Sequence, residues 1–289
     1  MTRTSPFAES LFSRIRLDLA CGIGLLTRLP INGLLSARQR AQSGPWPLAR
    51  SLWCWPLVGG AVGAFTGSMA WGLEAMHVAA LPAAGLALAA QSALTGAFHE
   101  DGLADMADSY GTHARERKLE IMRDSRIGSY GVLALCLSLL VRAGAIAALP
   151  APALVGGLAL AGLLSRATLL WLPRLLPPAR PDGLARSLSP LPRGAFAVAQ
   201  SFAFLLAALL MTVLINGTSQ QPVPPENQPL FWRLAPALGL VISAAGLSGW
   251  LVARSARKHL AGYTGDVLGA AATVADCLVL AALTILFHN

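Results

Sequence analysis

Apolar runs long enough to cross a bilayer alternate with short polar connectors along most of the chain. Each run is close to the ~20 residues that a hydrocarbon core requires. Gly and Ala are frequent in them, and Gly59, Gly63 and Gly67 recur at a spacing of four that lets helices approach closely. The pattern predicts an all-α integral membrane protein with about seven transmembrane helices, at roughly 51–73, 78–98, 128–149, 151–172, 195–216, 231–253 and 265–287.

The first 50 residues follow a different pattern. Residues 11–30 carry an apolar stripe that is broken by four charged side chains, namely Arg14, Arg16, Asp18 and Arg28. This is too much charge for a span, and Pro30 ends the stretch. We therefore predict an interfacial or re-entrant helix within residues 1–50, at the start of a single membrane domain that covers residues 1–289.

Charge is scarce and unevenly distributed. Only 12% of the residues are charged, against about 25% in soluble domains. Of the 22 Lys and Arg residues, 19 lie before the first predicted span or in the connectors after spans two, four and six, and the alternate connectors have none. By the positive-inside rule, the N-terminus is cytoplasmic. The same distribution explains the net charge of +8 without a nucleic-acid-binding patch, so no nucleic-acid partner is predicted.

A cytoplasmic segment, residues 99–127, concentrates the acidic residues, with seven of the fourteen Asp and Glu of the chain. On a helix, Asp101, Asp105 and Asp108 have the spacing i, i+4, i+7 and lie within about 60° of one another. Such a stripe repels itself unless a cation sits among the carboxylates, and oxygen ligands suit Mg²⁺, Mn²⁺ or Ca²⁺ rather than zinc. The alternative is a solvated acidic face. However, residues 99–114 lack the Lys and Arg that normally accompany one.

The sequence that follows, RERKLEIMRDSRIGSYG (residues 115–131), mixes bases with acids. Asp124 lies among Arg123, Ser125 and Arg126, just before a Gly-rich turn. Metal-binding acids beside bases and Gly amides form a site suited to a substrate phosphate or diphosphate. The positive-inside rule explains most of these bases, but it does not explain the acids beside them.

Three polar residues within predicted spans also call for an explanation. Arg166 lies about seven residues, or ~10 Å, from the cytoplasmic end of span four. Because an intramembrane Arg is costly unless paired or hydrated, we predict that Arg166 contacts a substrate phosphate or an acid. Arg142 is interpreted as a structural or snorkelling residue. Asp266, at the cytoplasmic mouth of span seven, either faces the same cavity or caps the helix.

The segment HEDGLADMADSYGTHARERKLEIMRDSRIGSYG (residues 99–131) resembles the signature of the cobalamin synthase family, adenosylcobinamide-GDP ribazoletransferase. Other stretches resemble further blocks of that family and extend the resemblance over nearly the whole chain: LLTRLP (25–30), WPLVGGAVG (55–63), SRATLLWLP (165–173) and AGYTGDVLGA (261–270). Asp276 departs from the family pattern, which has Glu at this position.

The resemblance implies an Mg²⁺-dependent transferase of the bacterial inner membrane. It would join adenosylcobinamide-GDP to α-ribazole, or its 5′-phosphate, and release GMP. The predicted topology places the active site on the cytoplasmic side. In this hypothesis one or two Mg²⁺ ions are held by four acids: Asp101, Asp105, Asp108 and Asp124.

Two of these acids, Asp108 and Asp124, are also the catalytic candidates. Asp124 either completes a second metal site or accepts the proton of the attacking hydroxyl. Substrate contacts are assigned to five further residues: Arg123, Ser125, Arg126, Arg166 and Asp266.

Two other functions remain open. A CDP-alcohol-type lipid phosphotransferase also displaces a nucleotide at a polyaspartate metal site. A polytopic transporter would explain intramembrane Arg166 and Asp276, but transporters concentrate such residues near the membrane midplane. Here most of the acids are predicted at the cytoplasmic surface. The sequence also leaves homo-oligomer formation open.

Overall fold

The described part of the protein is helical. The computed structural model describes residues 11–36, 39–40, 46–218 and 229–287, and these ranges contain no β-strand. The helices are α1 (Leu11–Leu26), α2 (Leu48–Ser51), α3 (Trp55–Ala75), α4 (Ala80–Thr95), α5 (Phe98–Asp108), α6 (Arg115–Ile121), α7 (Ser129–Ala148), α8 (Ala151–Leu169), α9 (Leu172–Leu175), α10 (Gly183–Ser187), α11 (Arg193–Gly217), α12 (Leu230–Leu260) and α13 (Gly265–Phe287).

Among the described residues, five helical segments are long and apolar enough to cross a membrane: Ser129–Ala148, Ala151–Leu175, Arg193–Gly217, Leu230–Leu260 and Gly265–Phe287. A sixth span results if α4 and the following segment Phe98–Gly111, which meet at 93°, form one broken span. Helix α3 covers the first predicted span but does not reach the same apolarity. The all-α, multi-pass prediction is confirmed, whereas the count of seven is not.

Helix α8 lies at the centre of the bundle, and every residue from Gly157 to Leu169 is buried. It packs closely against α3, because glycines at every fourth position leave that face of α3 without side chains. The space that a Cβ would need at Gly59, Gly63 and Gly67 is taken by the carbonyl oxygens of Gly162, Leu158 and Leu154. The small-residue stripe predicted from the sequence is therefore a helix-packing surface.

A sharp turn separates the acidic helix α5 from α4. Gly96 and Ala97 both have left-handed backbones, with φ of +69° and +53°. A Cβ on Gly96 would also collide with the guanidinium of Arg28. This turn makes α5 a separate helix bent away from α4, rather than a continuation of the second predicted span.

The described part of the N-terminal segment begins with a helix, α1, and continues without regular structure at residues 27–31. Helix α1 lies against α2 and α3, and the carboxylate of Asp18 accepts hydrogen bonds from Arg50 Nε at 2.7 Å and Trp53 Nε1 at 3.1 Å. Asp18 is therefore a structural anchor. Residues 1–10, 37–38 and 41–45 of the predicted interfacial segment lie outside the described residues.

Candidate active site

The acidic helix α5 lies across the start of α13. Gly102 makes this crossing close, because a Cβ there would lie 2.7 Å from the carbonyl oxygen of Asp266. Gly269 on α13 also permits the close crossing, because a Cβ there would lie 3.1 Å from the carbonyl oxygen of His99. The crossing brings Asp266 beside the carboxylate stripe of α5, although Asp105 and Asp266 are 161 residues apart in the sequence.

Asp105 lies at the centre of this acidic cluster. Its half-buried carboxylate experiences the negative charges of Asp101, Asp266 and Asp108, opposed by the positive charge of Arg180. Asp101, one turn away on α5, is exposed. The predicted stripe of acids therefore exists, and like charges are held together with few compensating cations.

Arg180 is the cation that the sequence reasoning missed. Its Nη2 donates to Asp266 Oδ2 at 3.0 Å, and Thr264 Oγ1 donates to the same oxygen at 3.1 Å. The buried Nε of Arg180 has no hydrogen-bond partner among the described residues. The start of α13 is instead capped by Thr264, whose Oγ1 accepts the Val267 N–H at 3.3 Å. Asp266 is therefore free to face the acidic cluster rather than serving as the helix cap.

Asp108 binds the N-terminus of α7. Its Oδ2 accepts the Gly128 N–H and its Oδ1 the Gly131 N–H, both at 2.7 Å. A Cβ on either glycine would collide with this carboxylate, which explains why small residues occupy both positions. The negative charge also suits the positive end of a helix dipole. The structure thus gives Asp108 an anchoring role, in addition to any contribution it makes to a metal.

Arg123, Asp124, Ser125 and Arg126 lie on a surface turn after α6. Asp124 pairs with Arg126, whose Nη2 lies 2.6 Å from Oδ2, and these hydrogen bonds lower the pKa of Asp124 to about 2. A carboxylate with so low a pKa is a weak proton acceptor at neutral pH. The ion pair with Arg126 therefore favours the metal-binding role over the general-base role for Asp124, of the two left open.

The same turn is tied to the loop that carries Arg180. Arg123 Nη2 lies 2.8 Å from both carboxylate oxygens of Asp182. That loop is in turn joined to the segment before α13, where the Ala179 N–H donates to the Tyr263 carbonyl at 2.8 Å. Residues 99–127, 179–190 and 262–270 are therefore in contact with one another.

Two cavities flank Arg180. One, of about 300 Å³, lies towards α6 and is lined by Arg115, Leu119 and Arg123 among others. The other, of about 170 Å³, lies towards α13 and is lined by Phe98, Leu184 and Asp266 among others. Arg180 and Asp266 thus line concave surface, whereas Asp101, Asp105 and Asp108 line neither of these two cavities.

Arg166 does not reach this site. Its buried guanidinium donates from Nη1 to Asp276 Oδ2 at 3.0 Å and to Ser165 Oγ at 2.7 Å. Its Nη2 lies 3.4 Å from Nδ1 of His99. Arg166 was predicted to contact a substrate phosphate or an acid, and in the structure it contacts an acid, Asp276.

A second buried ion pair accompanies it. Arg142 Nη1 donates to Glu100 Oε1 at 2.8 Å, and the side chains are 2% and 11% exposed. Residues 99 and 100 therefore link the acidic helix to two buried arginines. An arginine in a predicted span and an acid next to the acidic stripe were visible in the sequence, but their pairing was not.

The described residues do not form a complete protein cage for a metal. Within them, no three His, Cys, Asp or Glu side chains stand close enough together to hold a metal ion. Mg²⁺ is usually bound by one or two carboxylates together with waters and substrate phosphates. Asp101, Asp105 and Asp266, whose negative charges act on one another, are the carboxylates that fit that mode of binding.

Comparison with known proteins supports the sequence resemblance. Residues 18–284 match the family described as cobalamin-5-phosphate synthase. A protein of Bradyrhizobium diazoefficiens named adenosylcobinamide-GDP ribazoletransferase is 37% identical over 267 residues, covering 91% of each chain. A Rhizobium etli protein of the same name is 38% identical over 275 residues, covering 92% of this chain and 95% of the relative. No solved structure matches the chain.

Proposed function

Since the chain belongs to the cobalamin-5-phosphate synthase family, we propose that it is a membrane transferase joining adenosylcobinamide-GDP to α-ribazole or its 5′-phosphate. The observation that carries the proposal is the grouping of the Asp101, Asp105 and Asp266 carboxylates with Arg180, which lines two cavities. A diphosphate substrate needs a metal ion that neutralises its charge and basic side chains that bind its phosphates. The acids of this cluster are suited to hold the metal ion, and Arg180 is suited to bind phosphate.

The proposed reaction is a phosphoryl transfer. A ribose hydroxyl of α-ribazole forms a bond to the phosphorus that carries the cobinamide. The bond from that phosphorus to the bridging oxygen breaks, and GMP leaves with this oxygen. The hydroxyl proton is released. Negative charge increases on the bridging oxygen during the reaction, so groups that stabilise this charge accelerate it.

We propose that Asp101 and Asp105 are the principal ligands of one or two Mg²⁺ ions, with Asp108, Asp124 and Asp266 as neighbouring acids. When bound, the cation neutralises the diphosphate and the departing GMP. The Asp105 carboxylate experiences the charges of the other acids in the cluster, whereas the Asp108 carboxylate also holds the start of α7. The absence of a three-residue cage in the described ranges is compatible with Mg²⁺ because the substrate supplies phosphate oxygens.

The cations around the cluster are proposed to bind the two phosphates. Arg180 already bonds Asp266 through Nη2, and its side chain, 16% exposed, lines both cavities. Arg123 and Arg126 lie on the adjacent turn, where Asp182 and Asp124 hold their guanidinium groups in place. The exposed Ser125 hydroxyl lies between them. Arg166, buried beside Asp276, is proposed to support α5 through His99 rather than to contact substrate.

The proposed location is the bacterial inner membrane, with the N-terminus and the active site facing the cytoplasm. The Lys and Arg distribution supports this orientation. The acidic cluster, the Arg180 loop and the start of α13 lie together, so a single orientation applies to all of them. Reporter fusions at the N-terminus and in the 179–190 loop should both report cytoplasm. A periplasmic signal from either fusion would contradict the orientation.

A turnover assay tests the function itself. The protein is purified and reconstituted in vesicles with Mg²⁺. It then receives adenosylcobinamide-GDP with α-ribazole in one reaction and with its 5′-phosphate in another. GMP release together with a cobamide product is expected. A matched reaction with a CDP-activated lipid and an alcohol acceptor tests the alternative lipid phosphotransferase, and turnover there without cobamide formation would overturn the proposal.

A further inference from the structure

A large groove lies on the lipid-facing side of the bundle, between α8, α11 and α12. Its volume is about 790 Å³, within the roughly 300–1,000 Å³ typical of ligand sites. Its wall includes Phe204, Ile242, Gly246 and Trp250, all of them exposed. Because all three helices belong to candidate membrane spans, the mouth of the groove opens towards lipid chains.

The groove has the length of one bilayer leaflet. Along α12 it extends from Ile242 to Lys258, which corresponds to ~24 Å at helical rise. One leaflet with its headgroups is about 20–22 Å thick. The groove therefore matches a single lipid molecule lying along the helices, rather than a compact ligand at one depth.

The two ends of the groove differ in charge. Arg254, Arg257 and Lys258 line the end where α8 finishes and α11 begins. Arg254 lies over the Trp250 ring, 5.5 Å from its centroid, and Arg257 Nη2 donates to the Leu175 carbonyl at 3.3 Å. Tryptophan beside cations is typical of the membrane interface. An anionic group at this end would meet three positive charges.

The body of the groove has no comparable polar chemistry. Gln200 Nε2 donates to the Ala167 carbonyl at 2.9 Å, and Thr168 Oγ1 donates to the Ala245 carbonyl at 3.4 Å. These polar groups therefore bond to the wall itself. The surface left for an occupant is mainly apolar, and Gly246 has nothing within 4 Å of where its Cβ would lie. This surface suits an acyl chain.

We propose that this groove binds one phospholipid with an anionic headgroup, taken from the surrounding bilayer. The acyl chain lies past Gly246, and the headgroup phosphate contacts Arg254, Arg257 and Lys258. The site is separate from the acidic cluster and independent of the transferase activity proposed above. It would give the enzyme a preference for membranes rich in anionic lipid.

Lipid retention by the purified protein tests the proposal. The protein in mild detergent is mixed with phosphatidylglycerol or phosphatidylcholine of identical acyl chains, and bound lipid is counted by native mass spectrometry. One phosphatidylglycerol per chain is expected to survive, in preference to phosphatidylcholine. Attraction at an anionic surface is worth about fivefold per cation, so Arg254→Gln combined with Lys258→Gln should weaken retention roughly 25-fold.

Matched variants distinguish lipid binding in the groove from general effects of a substitution on the protein. Gly246→Leu fills the groove and should abolish retention. Gly239→Leu, on the same helix, also has open space at its Cβ but does not line the groove, so it should retain the lipid. Arg193→Gln removes a cation at the start of α11 outside the groove and should retain it as well. Inorganic phosphate at equal concentration should not compete.

Three results would overturn the proposal. The first is equal retention of the two lipids by the unmodified protein. The second is unchanged phosphatidylglycerol retention in both Gly246→Leu and the double Gln variant. The third is self-association that Gly246→Leu abolishes in the absence of lipid selectivity, because it would assign the groove to a second copy of the chain. Thermal unfolding of each variant in detergent, measured in parallel, identifies any variant that is misfolded.

Discussion

Glu100 and Arg142 form an ion pair inside the helical bundle, with Oε1 and Nη1 2.8 Å apart and the Arg142 side chain only 2% exposed. The pair joins the first turn of the acidic helix to α7. A buried charge that loses its partner is costly, typically about 3–5 kcal/mol. Arg142→Met should therefore strongly lower the thermal stability of the purified protein.

The double variant Glu100→Gln with Arg142→Met supplies the control for that prediction. It removes both charges, so no uncompensated ion remains, and it should be closer to the unmodified protein than Arg142→Met alone. Equal stability of the single and double variants would show that the charge pair does not hold these helices together.

Asp105 is predicted to be essential for transfer but not for folding. Asp105→Asn keeps the size of the side chain and removes the charge at the centre of the acidic cluster. Loss of a metal ligand should reduce turnover about 100-fold or more. Glu74→Gln, in the last turn of α3, is the matched control and should be fully active. Near-normal turnover by Asp105→Asn would remove Asp105 from the metal site.

Asp108 should behave differently from Asp105, because its carboxylate holds two amides at the start of α7. Loss of a helix-capping side chain costs about 0.5–2 kcal/mol, so Asp108→Ala should lower thermal stability as well as turnover. Gly131→Ala places a methyl group against the same carboxylate and should act in the same direction. An unaltered melting temperature in both variants would contradict the anchoring role.

Metal removal should abolish turnover reversibly. EDTA treatment followed by Mg²⁺ or Mn²⁺ should restore activity, since the proposed ligands are carboxylate oxygens. Zn²⁺ should not restore it, because no His or Cys ligand lies within the described acidic cluster. Full activity after exhaustive chelation would refute the metal-dependent mechanism while leaving the helical architecture unaffected.

Helix packing provides a test that is independent of chemistry. Gly63→Val should prevent the close approach of α3 and α8, since a Cβ at residue 63 collides with the Leu158 carbonyl. A backbone atom cannot move aside as a flexible side chain can. Gly72→Val is the matched control on the same helix, because nothing lies within 4 Å of its Cβ position. Equal expression and melting temperature of the two variants would argue against tight packing.

Local sequence pattern predicted much of this architecture. Hydrophobic runs indicated helices at all seven ranges, and the glycine spacing identified the α3 packing face. The i, i+4, i+7 acids were expected on one helical face, and α5 carries them. These features depend on near neighbours along the chain, so a period of 3.6 residues is enough to predict them. The count of seven membrane spans is not confirmed, because α3 is not apolar enough and the turn at Gly96–Ala97 ends α4 after 16 residues.

The long-range pairings were not visible in that pattern. Asp266 lies beside Asp105, Arg180 bonds Asp266, and Arg166 pairs with Asp276, 110 residues away. Each pairing depends on where one helix crosses another, which is set by the packing of side chains from several helices at once. Residue order and periodicity thus specified where the helices form and which acidic and basic residues each of them carries. Three-dimensional packing selected which of these charges meet at the site and which neutralise one another inside the bundle.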